Sequence, residues 1–391
     1  MQNLRNLSYN NTILELQEKV FRRGINYSLN RLNDALNRLS SPHMNLPPTL
    51  HIAGTNGKGS VAHYLTQGLT QLGKRTITYT SPHIYDYTER FQINGAPISQ
   101  ERFAQLFNDV RVADPYHQLS EYEVLTLMAL VLTQQESPEC LILETGLGGR
   151  LDATNVVPFS YAIITDIGMD HMNLLGSSLT NIASEKAGII KPNSVVFTQL
   201  DQPTDVVETI KARAKSQQAT VHWVPPKSNI HERNKDLAIQ VLTHLLNDPS
   251  EKIHRIIHHT NPPFGRLSPT TYQGVSCLMD VGHNAAAIER IFASSPPISE
   301  WIIGMQKTKD YNAVLTTLST RHQRIKLCPF DQEMAVNHHD LPQEMQALIP
   351  NWLPGDPIAE NAIFFGSFFF IDFLQKGHQY VTSTNTGSLH Q

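Results

Sequence analysis

Apolar residues recur at helical spacing across residues 12–40: Ile13, Leu14, Leu16 and Val20, then Leu29, Leu32, Leu36 and Leu39. The pattern stops at Ser40-Ser41-Pro42. Such stripes predict leading helices that each bury one face. The period then changes. Residues 49–53 form a short apolar run of strand type, 61–72 read as a helix stopped by Gly73, and 76–80 are β-branched and strand-like. Helical spacing returns at 99–112 and 120–135, and the apolar run 140–143 predicts another buried strand ending at Glu144. A strand at 161–165, a helix at 181–188, a strand at 194–198 and a helix at 205–215 follow. Strands alternating with helices predict a doubly wound, mainly parallel sheet.

The alternation breaks at His258-His259-Thr260-Asn261-Pro262-Pro263, whose proline and polar character suits an interdomain linker. We expect an ATP-binding P-loop domain over 1–258, a linker at 259–263, and a smaller Rossmann-like α/β domain over 264–391. In the latter, strands are predicted at 275–280, 301–304 and 363–365, with helices near 285–293, 310–318 and 366–375. The polar tail from Thr382 is expected to be disordered. A chain of 391 residues also exceeds the size at which one core keeps growing, which independently favours two domains.

Composition narrows the function classes. With 31 basic against 35 acidic residues, net charge −4 and no long charge run, nucleic acid is not the expected partner. Cys140, Cys277 and Cys328 lie far apart, so neither a disulfide framework nor a structural zinc site is expected. The polar start and the lack of any run of about 18 apolar residues predict a cytoplasmic protein without a membrane span. A monomer acting on small molecules is expected.

The chemistry begins at His51-Ile52-Ala53-Gly54-Thr55-Asn56-Gly57-Lys58-Gly59-Ser60, a strand running into a glycine-rich turn and a helix. Converging backbone N–H groups, a mobile ammonium and a nearby hydroxyl make a phosphate cradle for a nucleoside triphosphate and Mg²⁺. The usual spacing is not kept: Ile52 stands at the first glycine position, and Gly59 separates Lys58 from Ser60. Ligands of such sheets bind beyond the strands' carboxyl ends. That rule selects Glu144 to Asn155 after one strand and Asp166 to His171 after another. Glu144 is placed as an acidic metal ligand would be, with His171 on the adjacent loop, although histidine alone is atypical for Mg²⁺. Lys186 lies near a helix end, where lysine ordinarily complements the dipole.

The run GTNGKGS, together with TSPHIYDYTERFQING at 80–95, ETGLGGRLDATN at 144–155 and DIGMDHMNLLGSSLTNIASEKAGIIKP at 166–192, resembles the folylpolyglutamate synthase and dihydrofolate synthase family of the Mur ligase superfamily. The resemblance implies an ATP-dependent, ADP-forming ligase that adds L-glutamate to dihydropteroate, folates or both through an acyl phosphate. It implies ATP contacts from Thr55, Asn56, Gly57, Lys58, Gly59, Ser60, Asn234, Arg266, Asp280 and His283, with Lys58, Lys186 and His283 catalytic. Two Mg²⁺ ions would be held by Ser60, Glu144, His171 and a carbamylated Lys186. Ser81, Pro82, His83, Arg90, Asp152 and Thr154 would serve the folate. Asn284 reads equally well as a helix cap. The second domain departs from the family pattern at Ala285, Ser268 and Thr308-Lys309-Asp310. Those departures keep two alternatives in view, a Mur-type cell-wall amino-acid ligase and a nucleotide-binding homologue without catalysis.

Overall fold

A computed structural model describes residues 6–377 except 23–27, 115–117, 160, 226, 228, 322 and 331–333; the tail from Thr382 lies outside the described residues. The chain divides into two compact units. One runs to Lys227 and includes Glu232–Asn261; the other joins residues 229–231 to the chain from Pro262 onward.

The first unit holds strands β1 (Thr49–Ala53), β2 (Thr76–Tyr79), β3 (Phe91–Ile93), β4 (Ala96–Pro97), β5 (Cys140–Glu144), β6 (Tyr161–Ile164), β7 (Val195–Gln199) and β8 (Thr220–Val224). Their order is β4-β3-β2-β5-β1-β6-β7-β8, and β2, β5, β1, β6, β7 and β8 run parallel. β1 therefore lies inside the sheet, flanked by β5 and β6, and its five residues are buried. Alternation sends successive side chains to opposite faces. Leu50 and Ile52 join Val61 and Leu65 of the helix Lys58–Gln71 and Leu237 and Val241 of the helix Ile230–Leu246 in one core. Leu141 and Leu143 of β5 face the opposite core with Tyr79, Phe91 and Leu125.

The parallel sheet gains an antiparallel extension through β3 and β4. Asn94 and Gly95, with φ of 51° and 78°, form the tight turn that joins them, as an Asn-Gly pair between strand-forming residues does. The first turns of the helix Ile230–Leu246 are polar, yet Asn234 and Lys235 are buried.

The second unit carries β9 (Ser268–Tyr272), β10 (Val275–Asp280), β11 (Glu300–Gly304), β12 (Ile325–Leu327) and β13 (Ala362–Gly366) in the order β12-β11-β13-β10-β9. All pairs are parallel except β9 with β10. Trp301, Ile303, Ile363 and Phe365 from β11 and β13 centre its core. Both units are thus α/β layers on mainly parallel sheets. Among the described residues, no helix is long and apolar enough to cross a membrane.

Candidate functional site

The glycine-rich turn after β1 is braced from the neighbouring strand. The N–H groups of Thr55 and Asn56 both donate to the Asp166 carbonyl, at 2.8 and 3.2 Å. Thr165 Oγ1 donates to the Asn56 carbonyl at 2.8 Å, and Thr55 Oγ1 bonds to the carbonyl and N–H of Gly168, each at 3.0 Å. The N–H groups of Thr55 and Asn56 are thus spent within the fold, and any ATP contact from these residues must come from other atoms. Gly57, at φ 90°, turns the chain into the helix Lys58–Gln71, and a Cβ there would meet Asn234 Oδ1 at 2.8 Å. The first intrahelical bond shown joins Val61 N–H to the Gly57 carbonyl at 2.9 Å. The N–H groups of Lys58, Gly59 and Ser60 belong to the first turn and have no intrahelical acceptor, so anion binding falls to them.

Two ammonium groups meet at one carbonyl. Lys58 Nζ donates to Gly54 O at 3.3 Å, and Lys186 Nζ, on a residue 4% exposed, donates to the same oxygen at 2.8 Å. Lys186 sits in the last turn of the helix Leu179–Ala187. Glu144, at the end of β5, places Oε1 4.0 Å from Lys58 Nζ and accepts the Ser81 N–H at 3.3 Å. Tyr122, unmarked in the sequence, donates to the Glu144 carbonyl at 3.2 Å. Ser60 is 3% exposed on the adjacent helical turn.

The loop after Glu144 is folded by Asp152. Its carboxylate accepts the N–H groups of Gly146, Leu147 and Thr154 at 2.9, 2.9 and 3.0 Å, and the Thr154 hydroxyl as well. Burial raises its pKa, opposed by these hydrogen bonds. Thr154 is wholly buried, with its hydroxyl 2.8 Å from His51 Nε2, which corrects its expected place on a ligand surface: it stands behind Asp152. The Thr154 proton goes to the carboxylate, so the hydroxyl accepts from His51 Nε2–H. His51 is fully buried in β1, and desolvation, then the charge of Lys191, lowers its pKa to about 3.

On the loop after β2, Arg90 Nε donates to His83 Nδ1 at 2.9 Å, so that nitrogen is unprotonated, and the guanidinium lies 5.2 Å from the Tyr87 ring centroid. Glu89 accepts the N–H groups of Ile84, Tyr85 and Asp86 at 2.8–2.9 Å, curling Ser81 to Arg90 into a compact turn. His171, at φ 49° before a one-turn helix, is exposed beside exposed Met169, Met172 and Leu174. Among the described residues, no group of three or more His, Cys, Asp or Glu side chains forms a metal cluster.

In the second unit, each Asp280 oxygen accepts a backbone N–H, from Gly282 at 2.7 Å and Leu267 at 2.9 Å. Burial raises its pKa against the charge of Arg266. Its carboxylate ties the Phe264-Gly265-Arg266 turn to the end of β10, so the structure gives it a bracing role where an ATP contact was expected. Arg266 lies 5.6 Å from the Phe368 ring centroid, and His283 Nδ1 is 3.2 Å from the Val281 carbonyl. Asn284 caps the helix Ala285–Ser294 by accepting the Ala287 N–H at 2.8 Å. Ser367 Oγ accepts the Phe370 N–H at 3.2 Å, which caps the helix Phe368–Gly377.

Residues 52–254 match the model of the Mur ligase middle domain. The chain is 38% identical over 199 residues to a dihydrofolate synthase/folylpolyglutamate synthase of Bacillus subtilis; the match covers 49% of this chain and 46% of that relative. It is 28% identical over 294 residues to the corresponding protein of Buchnera aphidicola subsp. Baizongia pistaciae, covering 68% of this chain and 69% of the other. The chain thus spans about half the length of the Bacillus relative. The bifunctional folylpolyglutamate synthase/dihydrofolate synthase of Yersinia pestis, crystallised with AMPPNP and a Mn ion, superposes with a TM-score of 0.82 at 25% identity, covering 95% of this chain and 98% of that one. With the middle-domain model matching over half its length, the chain belongs to the Mur ligase family, in its folylpolyglutamate synthase/dihydrofolate synthase branch.

Proposed function

We propose that this chain is an ATP-dependent, ADP-forming ligase that joins a carboxylate of dihydropteroate, of folates or of both to the amino group of L-glutamate through an acyl phosphate. The observation that carries the reading is the convergence beyond β1, where first-turn N–H groups, two ammonium groups on the Gly54 carbonyl and the Glu144 carboxylate gather within one loop cluster. Donors for several anionic oxygens beside a single carboxylate suit a polyphosphate that arrives with a divalent cation. The names and bound nucleotide of the relatives supply the reaction class.

Ser60 and Glu144 offer the hard oxygen donors that Mg²⁺ prefers. A Cβ on Gly59 would lie 3.6 Å from Glu144 Oε2, so the missing side chain leaves the carboxylate open. These residues fit a divalent ion, which when bound would neutralise charge on the phosphates. We assign His171 and a carbamylated Lys186 to a second ion, as the resemblance implies. The carbamate would form when the neutral Lys186 amine attacks CO₂ and releases one proton, turning a cation into an anionic oxygen donor. Lys58 then steadies charge on the transferring phosphoryl group as the acceptor carboxylate attacks. Asp152, Ser81, His83 and Arg90 are assigned to the pteridine-bearing acceptor, and Arg266 and His283 keep the ATP role that the resemblance implies.

The test is ADP release with ATP and L-glutamate plus dihydropteroate, plus tetrahydrofolate, or plus neither. Acceptor-dependent ADP and a product heavier by one glutamyl residue support the proposal. No acceptor-dependent ADP from the folded wild-type protein with either compound overturns it.

A further inference from the structure

We propose that Asn155 is a positioning residue for Lys186: its amide buttons the glycine-rich loop after β5 to the end of the helix that carries the lysine. This rests on the reading that Lys186 serves the ligase site. Before carbamylation, the buried Lys186 ammonium shares Gly54 O with Lys58, so two like charges are held close together. Something outside the pair must resist their separation. The resistance is visible in the backbone.

Arg150 N–H donates to the Glu185 carbonyl at 2.7 Å, and its guanidinium pairs with Glu185 Oε1 at 2.8 Å. Gly149 and Gly188 allow this approach. A Cβ on Gly149 would sit 2.8 Å from the carbonyl oxygens of both Glu185 and Lys186, and one on Gly188 would sit 2.3 Å from Arg150 Cβ. A second side chain, Asn155, also crosses this seam. Asn155 Nδ2 donates to the Arg150 carbonyl at 2.9 Å and to the Gly188 carbonyl at 3.3 Å, joining the loop to the helix end. Both acceptors are carbonyls, which fixes the NH₂ toward them. Asn155 Oδ1, by contrast, is buried without a hydrogen-bond partner, so only the donor half of the amide is used. The Asn155 carbonyl in turn accepts Lys191 Nζ at 2.8 Å, which tethers the button to the segment beyond the helix. Removing a donor that bridges a buried carbonyl, of Gly188, and a part-buried one, of Arg150, takes a partner from both, and local opening there becomes easier.

The experiment compares wild type with Asn155→Ala, and with Lys191→Met, which loosens the same clamp at its more exposed end if the first variant folds poorly. Limited acetylation with acetic anhydride in CO₂-free buffer, where Lys186 carries a free amine, read by peptide mass spectrometry, gives the labelling rate of Lys186 relative to the exposed Lys211. Loss of the clamp should raise that ratio about tenfold in Asn155→Ala and by a smaller factor in Lys191→Met. In the ligase assay kcat per folded molecule should fall, while KM for ATP stays within about twofold, because the first-turn donors remain in place. An unchanged labelling ratio in the folded variants overturns the positioning role, as does a kcat loss that only tracks the folded fraction. Lys186→Ala separates the two layers: full activity in that variant would overturn the functional reading of Lys186, while the labelling ratio would still judge the clamp.

Discussion

His51 offers a stability measurement with a defined sign. The imidazole is wholly buried, and desolvation, with Lys191 second, lowers its pKa from 6.5 to about 3. Between those values the unfolded chain binds a proton that the folded chain refuses. Stability therefore rises with pH across this window: the contribution is fully present above about pH 6.5 and is lost as pH falls toward 3. The slope is about 1.4 kcal/mol per pH unit, so moving from about pH 6.5 to about pH 5 costs roughly 2 kcal/mol from this one group. His51→Leu removes the titration. It also gives up the bond to Thr154 and relieves the buried, unpartnered Nδ1, effects that do not depend on pH. Urea unfolding followed by far-ultraviolet circular dichroism, at about pH 7 and about pH 5, gives a pH-dependent loss for each protein. The wild-type loss should exceed the variant's by about 2 kcal/mol, the remaining groups cancelling in the difference. Equal losses would refute the reasoning and place a proton on the folded-state imidazole.

Lys58→Met should lower turnover by roughly two to three orders of magnitude, as loss of a preorganised charge does, with a melting temperature close to wild type; steady-state ADP release and a thermal melt check both. Gly57→Ala should cost about 1–3 kcal/mol, because its φ of 90° and the Asn234 Oδ1 atom 2.8 Å from the added carbon both oppose it, and nucleotide titration should show weaker binding. Glu144→Gln should raise the Mg²⁺ concentration for half-maximal activity at least about tenfold; a metal titration with unchanged midpoint would leave Glu144 a structural role. Asn284→Ala should destabilise the second unit by about 1 kcal/mol through the lost cap, read as a lower urea midpoint for that unit with nucleotide binding retained.

Strands with continuous apolar runs were legible from the sequence because burial on both faces leaves little ambiguity: residues 140–143 and 301–304 match β5 and β11, whose residues are all buried. Strands that face solvent were not. β8, Thr-Val-His-Trp-Val, lies at the sheet edge and β9 contains a proline, so neither carries the apolar signal. The Asn94-Gly95 turn had a readable signature, and β3 and β4 were missed only because the surrounding strands are short. At the site, a glycine pattern and one lysine sufficed to locate the cradle. What sequence did not reveal were partners set by tertiary approach: the Asp166 carbonyl that consumes the Thr55 and Asn56 donors, the Tyr122 hydroxyl under Glu144, and the Asn155 amide across the seam. None has a local spacing rule, since each pair is joined only when parallel strands bring distant loops side by side.

The brace between the glycine-rich turn and the loop after β6 also sets a tempo. Several hydrogen bonds hold residues 54–56 to residues 165–168 before any ligand arrives. The turn can therefore receive an anion without first being ordered, and the entropy of shaping it is already spent in folding. Arrival of nucleotide at this end should behave as a fast, single-step encounter whose rate follows charge and diffusion, so that any slow isomerisation seen in the full reaction belongs to a part of the molecule other than the cradle.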